Sequence, residues 1–169
     1  MTIKIRVPKT VQQLDEVRLL MRDFVKWHGK NNPAESGLIE QYFETGEFEK
    51  EIDSLPGKYA PPHGQLLYAT WEEAPAGCVA LRKLDATTCE MKRMYVYPEF
   101  HGKGMGRALA QALLEQARAM KFQRMLLDTS VGQLGAIRLY QRLGFRMIDP
   151  YYELPQSLRD WLVFMELEL

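Results

Sequence analysis

The 169-residue chain reads as one α/β domain of the α+β kind, with about seven strands and about four helices. Three observations lead there. Segments with a two-residue apolar period alternate along the chain with segments whose apolar residues recur every 3.6 positions. Apolar residues make up 46% and charged residues 26%, the proportions of an ordinary globular protein, which excludes disorder throughout. A chain of 169 residues buries one good core but not two of usual size, so residues 1–169 are expected to form a single domain.

Ile3, Ile5 and Val7 alternate with Lys4 and Arg6, a first strand ended by Pro8. Thr10 and Gln13 make a capping-box signature, and Leu14, Val17, Met21, Phe24 and His28 follow at helical spacing, which predicts a helix over 11–28 closed by Gly29. Residues 36–55 carry a weaker helical pattern interrupted by Gly46, and 56–64 (PGKYAPPHG) form a loop. Gln65–Trp71, Cys78–Leu84 and Cys89–Tyr97 are strand-like runs joined by EEAPAG and DATT, a three-stranded antiparallel meander ended by Pro98. After a glycine-rich turn comes a helix over 105–120, with Arg107, Gln111, Glu115 and Arg118 as its polar stripe and Leu109, Leu113 and Met120 facing inward. Arg124–Thr129 is apolar enough for a central strand, Gln133–Leu143 is a short helix stopped by Gly144, and Phe145–Ile148 and Trp161–Leu169 are the last strands.

Lys plus Arg number 22 and Asp plus Glu number 22, so no overall field draws the chain to nucleic acid or to an anionic membrane. A local basic patch remains open to a small polyanion. Cys78 and Cys89 are too few for a disulfide framework, and with only His28, His63 and His101 no zinc spacing occurs, so a reduced, metal-free protein is expected. The start lacks an apolar export segment and no run is long enough to span a bilayer, from which a cytoplasmic location is expected.

The informative stretch is Glu90–Arg107, a strand running into Gly102, Gly104 and Gly106 at a helix start. Glycines let backbone N–H groups approach an anion, and a helix N-terminus adds unpaired donors with partial positive charge. Lys103 and Arg107 add charge at the same place, so the turn suits a pyrophosphate. A phosphate loop of the GxxxxGK[ST] type is absent because no Lys-Ser or Lys-Thr pair follows. The dinucleotide pattern GxGxxG fails by one residue, although Asp128 stands 22 residues beyond Gly106, where a ribose-binding acid would lie. A tight strand-to-helix connection without a ligand is the plain alternative.

Residues 90–107 together with Gln133–Phe145 resemble the acetyl-CoA-binding half of a GNAT-superfamily N-acetyltransferase. That family's Gln/Arg-x-x-Gly-x-Gly/Ala motif is matched by His101-Gly102-Lys103-Gly104-Met105-Gly106, with His101 departing from the usual first residue. Its Asn-x-x-Ala stretch followed by Leu-Tyr and Gly-Phe is similar to Gln133-Leu-Gly-Ala136, Leu139-Tyr140 and Gly144-Phe145, with Gln for Asn. The resemblance implies the GNAT fold, a mixed central sheet of about seven strands splayed between strands four and five and flanked by about four helices, with acetyl-CoA as acyl donor and no metal. It implies that the pantetheine arm bonds along Met94, Tyr95 and Val96, and that the pyrophosphate sits on the turn and helix start from His101 to Arg107 (Gly102, Lys103, Gly104, Met105, Gly106), with Gln133 nearby. A homodimer fits the same resemblance.

Aminolysis of a thioester needs a neutral amine and some provision for the leaving thiolate. A lysine-like amine must be deprotonated by some 3.4 pH units at pH 7, roughly 4–5 kcal/mol, which makes a carboxylate base useful. By resemblance Glu90 is the candidate base and Tyr140 the group beside the sulfur. The plain alternatives are a strand Glu paired with Lys92 or Arg93 and a core tyrosine. Cys78, Cys89 and His28 read as packing residues and His63 as a solvated loop side chain.

The acceptor is expected to be a small-molecule or peptide amine held in the half formed by 27–63 and 151–161, where Trp27, Tyr42, Phe43, Tyr59, Tyr151, Tyr152 and Trp161 supply apolar bulk. Glu35, Glu40, Glu44, Glu47, Glu49 and Glu51 lie in the same half, either drawing a cationic amine or solvating a helix. Two other function classes stay open, an acetyl-CoA-binding module without catalysis and, further off, a nucleotide-dependent oxidoreductase.

Overall fold

The structure, a computed structural model, describes residues 2–169, and for Thr45 and Gly46 the backbone only. Its elements are β1 (Ile3–Arg6), α1 (Val11–Asn31), α2 (Ser36–Phe43), α3 (Thr45–Asp53), β2 (Gly64–Trp71), β3 (Ala74–Lys83), β4 (Thr88–Val96), α4 (Met105–Ala119), β5 (Arg124–Ser130), α5 (Leu134–Arg142), β6 (Arg146–Ile148), α6 (Gln156–Trp161) and β7 (Leu162–Glu168). The seven strands form one sheet in the order β1-β2-β3-β4-β5-β7-β6. Every neighbouring pair is antiparallel except β4 and β5.

Helices cover both faces. Leu109 and Leu113 of α4 and Tyr140 of α5 pack with Met125, Leu127 and Phe145 on one side. On the other, Val17, Leu20 and Met21 of α1 and Ile52 of α3 pack with Tyr68 and Trp161. The capping box at Thr10 and Gln13 forms as expected, since each side chain satisfies a backbone donor at the start of α1.

The structure differs from the sequence reading where local signals are weak. Helix α1 runs through Gly29 to Asn31, because nothing approaches that glycine and the preceding turns carry the helix past it. The 36–55 region breaks at Glu44, with φ 26°, into α2 and α3, and the short α6 forms where the sequence carries no helical pattern. Strand β3 begins at Ala74 because Glu72 and Glu73, both at positive φ (48° and 71°), close a two-residue hairpin turn in place of the expected six-residue loop.

Two irregularities in β4 shape the centre of the sheet. First, β4 pairs with β5 only from Thr88–Arg124 to Glu90–Leu126. Beyond that β4 stays with β3 as far as Val96 and β5 stays with β7 as far as Ser130, so the two central strands part. Secondly, the β3 register slips by one residue between Cys78 and Ala80, and Arg93 at φ 59° is the extra residue of a bulge. The bulge puts Lys92, Arg93 and Tyr95 on the α1–α3 face while Met91, Met94 and Val96 stay on the α4 face.

Arg93 is fixed by α3. Its Nε lies 2.7 Å from Glu51 Oε2, Lys58 Nζ lies 2.7 Å from Oε1, and the guanidinium stands over Phe43 and Phe48. Burial pushes the Glu51 carboxyl up, but Arg93 and Lys58 outweigh it and hold it down at about 2. A depressed carboxyl contributes stability in full above its ordinary value near 4.5 and loses it as pH falls toward 2, which amounts to about 3 kcal/mol. Glu51→Gln is expected to remove that contribution and leave a buried guanidinium half-paired. Thermal melts at pH 7 should show the midpoint lowered by about 6–12 °C, with the gap to the parent chain narrowing below pH 4.5. An unchanged midpoint would show that the glutamine amide and the aromatic rings suffice to hold Arg93.

Candidate active site

Where β4 and β5 part, a cavity of about 60 Å³ opens between them. Met91, Met94, Leu127 and Tyr140 line it from the α4 side, while Phe24, Tyr42 and Trp161 line it from the α1–α2 side. It therefore passes through the sheet. On the α2 side it meets a cleft of about 690 Å³ bounded by Arg82, Glu90, Arg124, Tyr151 and Tyr152, and Tyr42, Lys92 and Arg93 belong to both.

The glycine turn ends β4 on the α4 side. Gly102 and Gly104 adopt φ 76° and 79°, and a Cβ at either would meet nothing within 4 Å, so open space lies before them. Gly104 caps α4 with no side chain bonded to the first-turn amides, which leaves those donors available to an anion. Lys103 and Arg107 are exposed beside them. His101 uses its ring otherwise: Nε2 lies 2.8 Å from the Val96 carbonyl oxygen and the ring stands edge-on to Trp27, pinning the turn to the end of β4. These features fit a pyrophosphate.

Of the residues singled out in the sequence, Met94, Gln133 and Tyr140 line the cavity, and His101–Arg107 form the turn at the start of α4. Tyr95 points into the opposite layer, between Phe24 and Tyr97, so it can meet a ligand in the cavity only through its backbone. Tyr140 is 5% exposed and its hydroxyl bonds no protein group among the described residues. Burial, and secondarily the nearby Asp128 charge, push its phenol well above 10, so it keeps its proton.

Glu90 lies on the wall of the larger cleft, 1% exposed, outside the cavity that Tyr140 lines. Arg82 Nε donates to Oε1 at 2.8 Å and Tyr151 Oη donates to Oε2 at 2.5 Å. Burial pushes its carboxyl up, but Lys92, Tyr151 and Arg82 together hold it below the usual range. Glu90 is thus a held anion with both oxygens engaged.

The sequence marks Asp128 only as a ribose-binding acid, and the structure places it on the cavity wall instead. It accepts hydrogen bonds from Tyr42 and Tyr152, each 2.5 Å long. A carboxylate inside the apolar run RMLLDTS is the signal available in the sequence. Lys92 figures there only as a partner for Glu90. Burial pushes its ammonium below the ordinary lysine value, against the opposing charges of Asp128 and Glu90.

The remaining candidates separate cleanly. Cys78 and Cys89 are buried and burial pushes both thiols up to about 12, so neither is a nucleophile at neutral pH. His28 is sandwiched between Phe24 and Trp161, with Nε2 3.3 Å from Ser130 Oγ, and burial lowers its pKa. His63 is exposed. Trp27 and Tyr59 lie outside the cleft, and Glu47, Glu49 and Glu51 are paired with Lys50, Arg22 and the Arg93–Lys58 pair. Three of the six acidic residues therefore carry a structural partner and do not form a pocket for a cation. Among the described residues no cluster of His, Cys, Asp and Glu could hold a metal ion, and no helix is long and apolar enough to cross a membrane.

Comparison with known proteins places this geometry. A family model described as the acetyltransferase (GNAT) family matches residues 22–145. An uncharacterized N-acetyltransferase of Schizosaccharomyces pombe is 32% identical over 169 aligned residues, covering 99% of this chain and 95% of that one. The chain belongs to the GNAT acetyltransferase family. It is accordingly an acyltransferase of that family. The uncharacterized N-acetyltransferase YjgM of Escherichia coli is 41% identical over 132 residues, 71% of this GNAT chain and 79% of its own length. Among solved structures, the PaiA N-acetyltransferase of Thermoplasma acidophilum in complex with coenzyme A has the same fold, with a TM-score of 0.74, 18% identity and full coverage of both chains. The splayed mixed sheet is the architecture expected from the motifs.

Proposed function

We propose that this chain transfers the acetyl group of acetyl-CoA to a primary amine by direct attack. The observation that carries the reading is the cavity through the sheet: it joins Tyr140, on the face where the open glycine turn starts α4, to a cleft of about 690 Å³ on the other. Two substrates entering from opposite faces would meet at Asp128, Lys92 and Tyr140. The family's solved member with coenzyme A supports the donor, and the uncapped amides at Gly104 support where its pyrophosphate rests.

Acetyl-CoA supplies the activated acyl group as a thioester. The residues of this chain align it and handle the proton. The amine nitrogen forms the amide bond, the C–S bond breaks, and the amine proton passes to a carboxylate. Asp128 suits that step better than Glu90 by position: both carboxylates accept two hydrogen bonds, but Asp128 lies on the cavity wall near Tyr140, whereas Glu90 lies in the outer cleft and is charge-paired with Arg82. Tyr140 donates a hydrogen bond to the departing sulfur. Full protonation of a thiolate of ordinary pKa near 8.5 by so weak a phenol is uphill, so hydrogen bonding is its contribution.

Tyr140→Phe should therefore keep the fold and the affinity for acetyl-CoA within about twofold, because the ring remains and no protein hydrogen bond is lost. Turnover should fall about 10- to 100-fold, the value of one hydrogen bond to a charged group. A thiol-release assay with calorimetric titration of acetyl-CoA reads both. Equal turnover, with chemistry rate-limiting, would remove Tyr140 from the reaction. Acetyl-CoA binding without transfer to any amine would instead support a binding module.

A further inference from the structure

Among the described residues, every buried or half-buried cation around the cleft except one has a carboxylate of its own. Arg93 has Glu51, Arg82 has Glu90 and Arg124 has Glu166. Lys92 stands at the junction of cavity and cleft, and among the described residues its Nζ forms no ion pair. Its one hydrogen bond is long, 3.4 Å to Tyr42 Oη, and that phenol donates its own proton to Asp128. An ammonium has three donors, and one long bond leaves at least two unused at the place where an acceptor would enter.

The place beside Lys92 favours an anion. Arg82, Arg93 and Arg124 are each matched by a carboxylate and Glu44, Asp85 and Glu153 also line the cleft, so among the described residues Lys92 is the charge there without a partner, and its ammonium would repel a second cation set against it. An anion on the acceptor removes the repulsion and fills the unused donors. Cation and anion are already disposed side by side here, since Lys92 and Asp128 are bridged by the single oxygen of Tyr42. That disposition matches a molecule carrying a carboxylate next to its amine.

We propose that the acceptor is a free amino acid, its α-carboxylate held by Lys92 and its amine directed at Asp128. Lys92 is then the residue that sets acceptor specificity. The assignment rests on the acetyl-transfer reading and names its substrate class. It replaces the broader expectation of any small-molecule or peptide amine, because a peptide N-terminus has an amide where the carboxylate would be.

The test has a binding arm and a turnover arm. Each of the twenty L-amino acids is offered with acetyl-CoA, and the best is compared with its carboxamide, its decarboxylated amine and spermidine. The same compounds are titrated calorimetrically into the CoA-loaded protein without turnover. The amino acid is expected to exceed its amide and amine by about 10- to 100-fold in kcat/KM and in affinity, the worth of a charge-assisted hydrogen bond. Lys92→Met should erase that preference through KM, with acetyl-CoA affinity unchanged, and Lys92→Arg should restore part of it. Equal or better use of the amide, the amine or spermidine overturns the proposal, as does a Lys92→Met variant that keeps the preference. The two readings fail separately. Amino-acid binding that depends on Lys92 without any acetyl transfer would uphold this inference and sink the reaction, and transfer confined to spermidine would do the reverse.

Discussion

Gly104→Asp is expected to fold normally and to lose about a thousandfold in affinity for acetyl-CoA. The residue sits at φ 79°, a conformation that aspartate adopts at modest cost, and a Cβ there meets nothing within 4 Å. Folding is therefore spared, in contrast to Gly77, where a Cβ would come within 2.7 Å of the Tyr95 carbonyl oxygen and force β3 and β4 apart. The new carboxylate would project into the open space before the first-turn amides of α4, where the pyrophosphate is proposed to lie. Two unit charges 4 Å apart repel by about 4 kcal/mol at an effective dielectric of 20, roughly a factor of a thousand in affinity. Gly104→Asn separates charge from shape, since it accepts the same backbone angle without the charge and should lose much less. Calorimetric titration of acetyl-CoA into both variants reads the difference. An aspartate variant that is folded and binds as the parent does would move the anion site away from α4.

The parts of the molecule legible in the sequence are those set by local physics. The seven segments read as strands became β1 to β7, the stripe of Leu109 and Leu113 buries as expected, and Gly102 and Gly104 open onto the start of α4. The bulge at Arg93 left no such mark, because an arginine at positive φ is imposed by Glu51, Phe43 and Phe48 from another part of the chain. Without the bulge, strict alternation would set Arg93 on the opposite face from Lys92, and the junction of cavity and cleft would lose a wall. Asp128, Tyr42 and Tyr152 are brought together from β5, α2 and the segment before α6, a convergence that no spacing rule encodes. The acidic run 35–51 shows the same limit from the other side. Its charges suggest a cation site, and the partners that cancel three of them, Arg22, Lys50 and the Lys58–Arg93 pair, include residues distant in sequence.

Asp128→Asn is expected to lower kcat/KM at pH 7 by about 100- to 10,000-fold, the usual worth of a positioned proton acceptor. The shape of the pH profile is the sharper result. An amide cannot take a proton, so the variant can use only amine that is already neutral in solution. Its rate should therefore climb tenfold per pH unit until the amine's own pKa is passed, while the parent enzyme, which has a carboxylate to accept the proton, stays flatter over the same range. The deficit consequently shrinks as pH rises. Glu90→Gln acts differently, since its amide keeps only one of the two hydrogen bonds from Arg82 and Tyr151, removes the charge that pairs with Arg82, and so shifts the cleft wall without touching the proton path. Its loss should be smaller and equal at every pH, the mark of misplacement. Thermal melts of both variants guard against unfolding, because an asparagine at 128 can still accept one phenol hydrogen bond through its Oδ1 and lose only the other. A constant deficit in Asp128→Asn together with a shrinking one in Glu90→Gln would reverse the two roles, with the proton passing through Tyr151 to the outer carboxylate.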